Sequence, residues 1–298
     1  MLPPALAAWQ AEGAFFDLLG ERVFVRQEGS GPPLLLLHAY PTASWGFHRI
    51  LPGLTARFRV IAPDLPGSGL SSKPRRGDYS IARLGDVVEA LLDRLQVGRL
   101  HVLAHGYTAS VAQELLARDN VRAAKDARLM SLCFLSAGLF PEVAQTTRLQ
   151  RLMLSPLGPL LARFAPQPFG IFSKQLAESF GRKTQPSEED LQIIWALLRA
   201  NGGQRVVPRV IGYLTERQRV QDRLVGALEQ ARVPLALMVA PDDDLSGEAI
   251  LRVWRRRLPL APVYRLPDGV GHYPPLECPQ DVQRAYAAFR GAITTAPA

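Results

Sequence analysis

The stretch "LHVLAHGYTASVAQELLAR" (residues 100–118) decides how this chain is read. It opens on an apolar run of strand length, passes through "AHGYTAS" (104–110), and continues in residues suited to a helix. A strand, a tight turn and a helix in direct succession normally present a catalytic nucleophile on the turn. The residue at that place is Gly106, which has no side chain to offer.

Moving outward, the first 140 residues alternate short apolar runs with amphipathic segments. "AFFDLLG" and "ERVFVRQEGSG" predict an opening hairpin, and "PPLLLLHA", "RVIAPDL", "RLHVLAH" and "LMSLCFLSAG" predict buried parallel strands. Between two of these, Ile81, Leu84, Val88, Leu91, Leu92 and Leu95 recur at helical spacing. That alternation predicts an α/β fold with a doubly wound sheet. From about 141 to 226 strand-like runs vanish and helical pieces separated by Pro and Gly take over; "QPSEEDLQIIWALLRANGG" is the clearest, with Ser187 as N-cap, acids in the first turn and a Gly stop. Strand patterns return with "VPLALMVAP" and "APVYRLPD". The expected organisation is a core in two parts, 1–140 and 227–298, carrying a helical cap over 141–226 that encloses a pocket with the strand ends.

Bulk properties narrow the function. The 298 residues, 47% hydrophobic, suffice for one large core. The net charge of +8 comes from arginines spread along the whole length, with only four lysines, so no basic groove for nucleic acid is expected. The densest cluster, "RVWRRRL" (252–258), suits the polar face of an ordinary helix. Two distant cysteines, Cys133 and Cys278, carry neither metal-like spacing nor a disulfide framework, which fits a reduced, cytoplasmic protein without metal. The N-terminus lacks a basic leader region, and no apolar run reaches membrane-spanning length.

Three segments carry the chemistry, each at the carboxyl end of an expected strand. "LLLLHAYPTASWGFHRI" (34–50) ends its strand in His38-Ala39-Tyr40-Pro41; the elbow stretch supplies His105-Gly106-Tyr107-Thr108; "ALMVAPDDDLSG" (236–247) and "YRLPDGVGHYPPLECP" (264–279) set an acid after one strand and Gly271-His272 after the next.

Together with "RVIAPDLPGSGLSSKPRRGDYSI", "VEALLDRL" and "SLCFLSAGLFPE", these stretches resemble α/β-hydrolases of the epoxide hydrolase and haloalkane dehalogenase branch, and within it the mesoderm-specific-transcript type. The resemblance implies an α/β-hydrolase fold: a mostly parallel eight-stranded sheet with a helical cap insertion and no cofactor. It also exposes a departure. That branch has a His-Asp-aromatic-Gly elbow whose aspartate is a covalent nucleophile, whereas here Gly106 and Thr108 occupy the aspartate and small-glycine places.

An elbow forces its central residue toward positive φ, which glycine adopts at little cost. Without a side-chain oxygen at 106, no ester intermediate forms there. Sliding the frame by two gives "GYTAS" with Thr108 as nucleophile, but this spoils the spacing to the helix; Ser110 suits packing or the helix start. His272 matches the family's general-base histidine. Its partner acid is expected to be Asp243, with Asp242 and Asp244 as rivals. The backbone N–H groups of Tyr40 and Tyr107 match the oxyanion donors, with Ala39 in place of the usual glycine. His38, Trp45, His105, Trp195 and Tyr213 are expected to line the substrate pocket, the alternative for each being ordinary packing. Two function classes remain: an enzyme using a His272/Asp243 base without a covalent intermediate, or an inactive pseudo-hydrolase that binds a ligand or regulates. The expected partner is a small apolar organic substrate or ligand, bound by a monomer or homodimer.

Overall fold

The computed structural model describes residues 2–143, 145–164 and 167–295. Eight strands form one sheet: β1 (Gly13–Leu18), β2 (Glu21–Glu28), β3 (Pro33–Leu37), β4 (Arg59–Pro63), β5 (Leu100–His105), β6 (Leu129–Leu135), β7 (Leu235–Val239) and β8 (Val263–Arg265). Their order across the sheet is β1-β2-β4-β3-β5-β6-β7-β8. β1 pairs antiparallel with β2, and β2 antiparallel with β4. Every other pairing is parallel. The hairpin and the six later strands lie where the apolar runs predicted them.

Why the central strands are continuous apolar runs follows from this topology: helices cover both faces, so neither face may be polar. Leu34, Leu35, Leu36 and Leu37 of β3 are fully buried, and all of β5 is buried. On one face the helix Ile81–Arg94 packs Leu84, Val87, Val88, Leu91 and Leu92 into the core together with residues of the helix Ala109–Val121. Ser80 caps the first of these by accepting the Arg83 amide at 3.2 Å. On the other face Trp9, Phe47, Tyr286 and Phe289 build a second cluster.

Between β6 and β7 run only helices among the described residues, from Arg148–Leu154 to Gln221–Glu229. Ser187 caps the helix Glu188–Arg199 in a capping box with Asp190, as the sequence pattern suggested. Its end differs from the expected Gly stop: the cap is Ala200, and Asn201 follows at φ 54° before Gly202 at 75°. The pattern "RVIGYLTERQR" is likewise two pieces, Val207–Val210 and Tyr213–Arg219, broken at Ile211-Gly212. The helix Gln221–Glu229 runs across the boundary expected at 226.

The chain turns outward in both directions from β3, to β4 on one side and β5 on the other. At such a switch point the loops leaving neighbouring strand ends part and open a crevice. The loops after β3, β5, β7 and β8 all contribute to the wall of one cavity, of about 1450 Å³.

Candidate active site

Gly106 follows β5 immediately and has φ +66°, the left-handed conformation expected of an elbow. The turn passes through Gly106–Thr108 into the helix Ala109–Val121. A side chain at 106 would point at two neighbours. Its Cβ would lie 2.9 Å from the Ala39 Cβ and 3.5 Å from His272 Nε2. The first distance is too short for two carbons, and the Ala39 methyl, fixed to the backbone, cannot swing away. Ala39 therefore fills part of the room that a nucleophile's side chain would need.

The histidine opposite is tightly held. His272 Nδ1 donates to Asp243 Oδ2 at 2.9 Å, which leaves Nε2 facing the emptied elbow with its lone pair. Asp243 is the acid that makes this contact; Asp242 instead accepts the Gly269 amide at 2.6 Å. The Asp243 carboxylate is buried and also accepts the Leu245 amide at 2.9 Å and the Ser246 hydroxyl. Burial would push the Asp243 carboxyl up, but the His272 charge and these hydrogen bonds hold it below the usual range. For His272 burial acts downward, and the Asp243 charge and hydrogen bond outweigh it and raise the imidazole.

The loop that carries His272 is clamped by Glu277. One carboxylate oxygen accepts the Gly271 amide at 2.7 Å, the Gly181 amide at 2.8 Å and the Thr184 hydroxyl at 2.5 Å; the other accepts the Tyr273 amide at 2.8 Å. The His272 amide donates to the Ser179 carbonyl at 2.8 Å. Gly271 is required by this close approach, since a Cβ there would lie 2.5 Å from the same Ser179 oxygen. The Tyr273 hydroxyl donates to the Tyr40 carbonyl at 3.1 Å and so joins this loop to the one after β3.

Gly106, Tyr40, Tyr107, Asp243, His272 and Tyr213 all line the cavity. The Tyr213 ring lies 5.4 Å from that of Tyr107, whose hydroxyl is within hydrogen-bonding distance of Ser68 Oγ at 3.2 Å. Four residues expected in the pocket are not part of its wall. His38 is fully buried behind the elbow, with Nδ1 donating to the Ala39 carbonyl at 2.9 Å and Nε2 accepting the Leu65 amide at 3.1 Å. His105 turns its ring behind the elbow as well, Nε2 donating to the His272 carbonyl at 2.7 Å; burial pushes its pKa down to about 3. Trp45 packs edge-on against Trp9 at 5.5 Å and stacks on His48 at 4.2 Å. Trp195 packs between Phe169 and Phe172. All four sit near strand ends or on an amphipathic helix, where spacing alone does not tell the cavity side from the core side.

Thr108 has its hydroxyl engaged with backbone. It donates to the carbonyls of His38 at 2.9 Å and His105 at 3.2 Å, and the residue is fully buried at φ −72°. Ser110 is buried in the first turn of the helix. Neither occupies the left-handed position of the elbow, which is that of Gly106. No cluster of three metal-ligating side chains occurs among the described residues, and no helix among them is long and apolar enough to cross a membrane. Cys133 and Cys278 are free and buried.

Comparison with known proteins agrees with this architecture. The family model described as alpha/beta hydrolase fold matches residues 32–277. The mesoderm-specific transcript protein of Mus musculus is 38% identical over 298 residues, covering 97% of this chain and 88% of its own, and the Homo sapiens homologue matches equally. Among solved structures, a haloalkane dehalogenase DbeA loop variant from Bradyrhizobium elkanii superposes with a TM-score of 0.78 at 22% identity, covering 95% of this chain and 97% of that one. With a family match across most of its length, an eight-stranded sheet of matching topology and relatives aligned nearly end to end, this chain belongs to the alpha/beta hydrolase fold family.

Proposed function

We propose that this chain is an enzyme that works without a covalent intermediate. His272, oriented by Asp243, acts as general base, and the helical stretch 141–226 serves as the cap over its cavity. The observation that carries this reading is the position of His272 Nε2, 3.5 Å from where a Gly106 side chain would begin and hydrogen-bonded through its other nitrogen to a buried carboxylate. In a hydrolysis, Nε2 takes a proton from water as the water oxygen attacks a carbonyl carbon. The oxyanion forms against the amides of Tyr40 and Tyr107, and its collapse expels an alkoxide that receives the proton back from His272. Tyr107 stands in the first turn after the strand, where a backbone N–H has no acceptor within the helix. The same base serves an elimination or cyclisation by taking a C–H or O–H proton from the substrate.

Positioned acid–base catalysis contributes on the order of a hundred- to ten-thousand-fold, enough for activated bonds but not for alkyl halides. The substrate is accordingly a small, mainly apolar molecule with an activated ester, lactone or comparable group, and buried reduced thiols fit action in the cytoplasm. A panel of aryl esters, lactones and epoxides tests the reading. His272→Ala should lower turnover by about a hundred- to ten-thousand-fold while the far-UV spectrum at the assay temperature stays that of the folded parent, the melting temperature falling because buried Asp243 loses its partner. Unchanged turnover removes His272 from the mechanism.

A second reading, that of a ligand-binding pseudo-hydrolase, is favoured by one observation. Ala39 closes the space beside Gly106, so the elbow has been remodelled at two positions rather than one. Absence of His272-dependent turnover across the whole panel, with ligands still bound in the cavity, would favour it.

A further inference from the structure

Arg217 is the charged group that the reading above leaves without a role. It lies on the helix Tyr213–Arg219, lines the cavity and is 6% exposed. Nη1 donates to the Gly138 carbonyl at 2.8 Å, while Nε is buried with no partner. The guanidinium sits 5.5 Å from the centre of the Tyr213 ring. No carboxylate among the described residues pairs with it. Its neighbour Glu216 turns the other way and accepts the Ile81 amide at 3.0 Å, and Asp243 is committed to His272. The other cationic residues of the wall, Arg148, Arg182 and Lys183, are exposed at its rim.

A buried charge without a counter-ion is costly, and such groups are ordinarily paired. No carboxylate of the described residues reaches this guanidinium, which leaves a group from outside the chain to pair with it. Its position relative to the elbow is fixed by rings: Arg217 packs on Tyr213, and Tyr213 on Tyr107, the residue next to Gly106. We infer that Arg217 is the binding site for the carboxylate of an otherwise apolar ligand, which lies along the Tyr213 and Tyr107 rings with its far part over Gly106. The carboxylate accepts from Nη2, the nitrogen that the Gly138 carbonyl and the burial of Nε leave free, and the apolar body matches the leucines and aromatic rings of the wall. The inference rests on the cavity being the ligand site, and it narrows the substrate class to apolar acids carrying a second, reacting group.

Binding, read by calorimetry without any turnover, tests it separately from the role of His272. Sodium octanoate and 1-octanol serve as probes with the same chain and different heads. Octanoate should bind the parent protein at least tenfold more tightly than octanol. Arg217→Met should shrink that difference to less than about threefold, and Arg217→Gln, which keeps a donor for the Gly138 carbonyl, should do the same if the methionine variant does not fold. His272→Ala should preserve the difference. Equal binding of the two probes to the parent overturns the inference, as does a difference that survives loss of Arg217 or disappears with His272. A His272→Ala variant that keeps full turnover would overturn the proposed base and leave the Arg217 assignment standing.

Discussion

The two sides of the cavity have been treated differently. On one side stands the elbow, with Gly106 at its left-handed position and the space beside it taken by the Ala39 methyl. On the other stands the histidine loop, where Asp243 holds the His272 ring and Glu277 holds the backbone on both sides of it, each carboxylate with both oxygens bonded. A site decaying through disuse has no reason to retain a buried acid, whose desolvation is expensive unless its partners stay in place. On the proposed reading, the contrast teaches that covalent chemistry can be given up while the base is kept.

The sharpest way to break this contrast is to refill the elbow. Gly106→Asp alone should give no hydrolysis and should lower stability by about 2–4 kcal/mol, from strain at positive φ and overlap with Ala39. Ala39→Gly combined with Gly106→Asp should recover about 1 kcal/mol of that loss and, with His272 already in place, hydrolyse epoxides through an alkyl-enzyme ester visible as a mass shift of the intact protein. A double variant no more stable than the single would show that Ala39 is not the obstacle.

Protonation separates the two histidines. His105 is held near 3, so the stabilisation from its neutral form is complete above pH 6.5 and is lost as pH falls toward 3, at about 1.4 kcal/mol per pH unit. His272 is raised, so its charged pair with Asp243 stabilises fully below 6.5 and that contribution fades as pH rises through the folded value. His38, His48 and His101 are lowered as His105 is, so the losing side dominates under acid. Denaturation midpoints should fall from pH 7 to pH 5, while turnover, which needs neutral His272, should rise with pH through a value above 6.5. Stability that increases on acidification would contradict the placement of these rings.

Weakening the clamp is a smaller change. Glu277→Gln replaces one acceptor oxygen by a donor facing amides, which should cost about 2 kcal/mol, reduce turnover roughly tenfold and, since the Glu277 charge helps to raise His272, move its profile to lower pH. An unmoved profile would mean that Glu277 acts on His272 by position alone. The smallest expected effect is that of Thr108→Val, about 1 kcal/mol of stability and no loss of turnover. Abolished turnover would instead make Thr108 the missing nucleophile.

How far the sequence speaks depends on whether a feature is local. Strand runs such as "LLLLH", the Ser187 cap and the left-handed Gly106 are set by neighbours a few residues away, and all were legible. The choice among Asp242, Asp243 and Asp244 was not, because three consecutive acids differ only in how the loop turns each one. The four misplaced pocket residues share that problem, since periodicity shows that a side chain is buried but not whether it meets the core or the cavity. Ala39 stands out in the sequence as a substitution, but its effect lies in its closeness to a residue 67 positions away. Glu277 and Arg217 gave no signal at all: an acid in a proline-rich turn and an arginine on a basic helix look solvated until the tertiary structure buries them.

The Glu277 bonds have one more consequence. They tie Gly181 and Thr184, in the segment between two helices of the insertion, to the same carboxylate that fixes Gly271 and Tyr273. Through them one carboxylate holds the 179–184 segment of the insertion and the histidine loop as one unit, whereas Arg148–Leu154 and Gly158–Phe164 pack on other parts of the insertion and leave Leu152, Leu157 and Leu160 exposed.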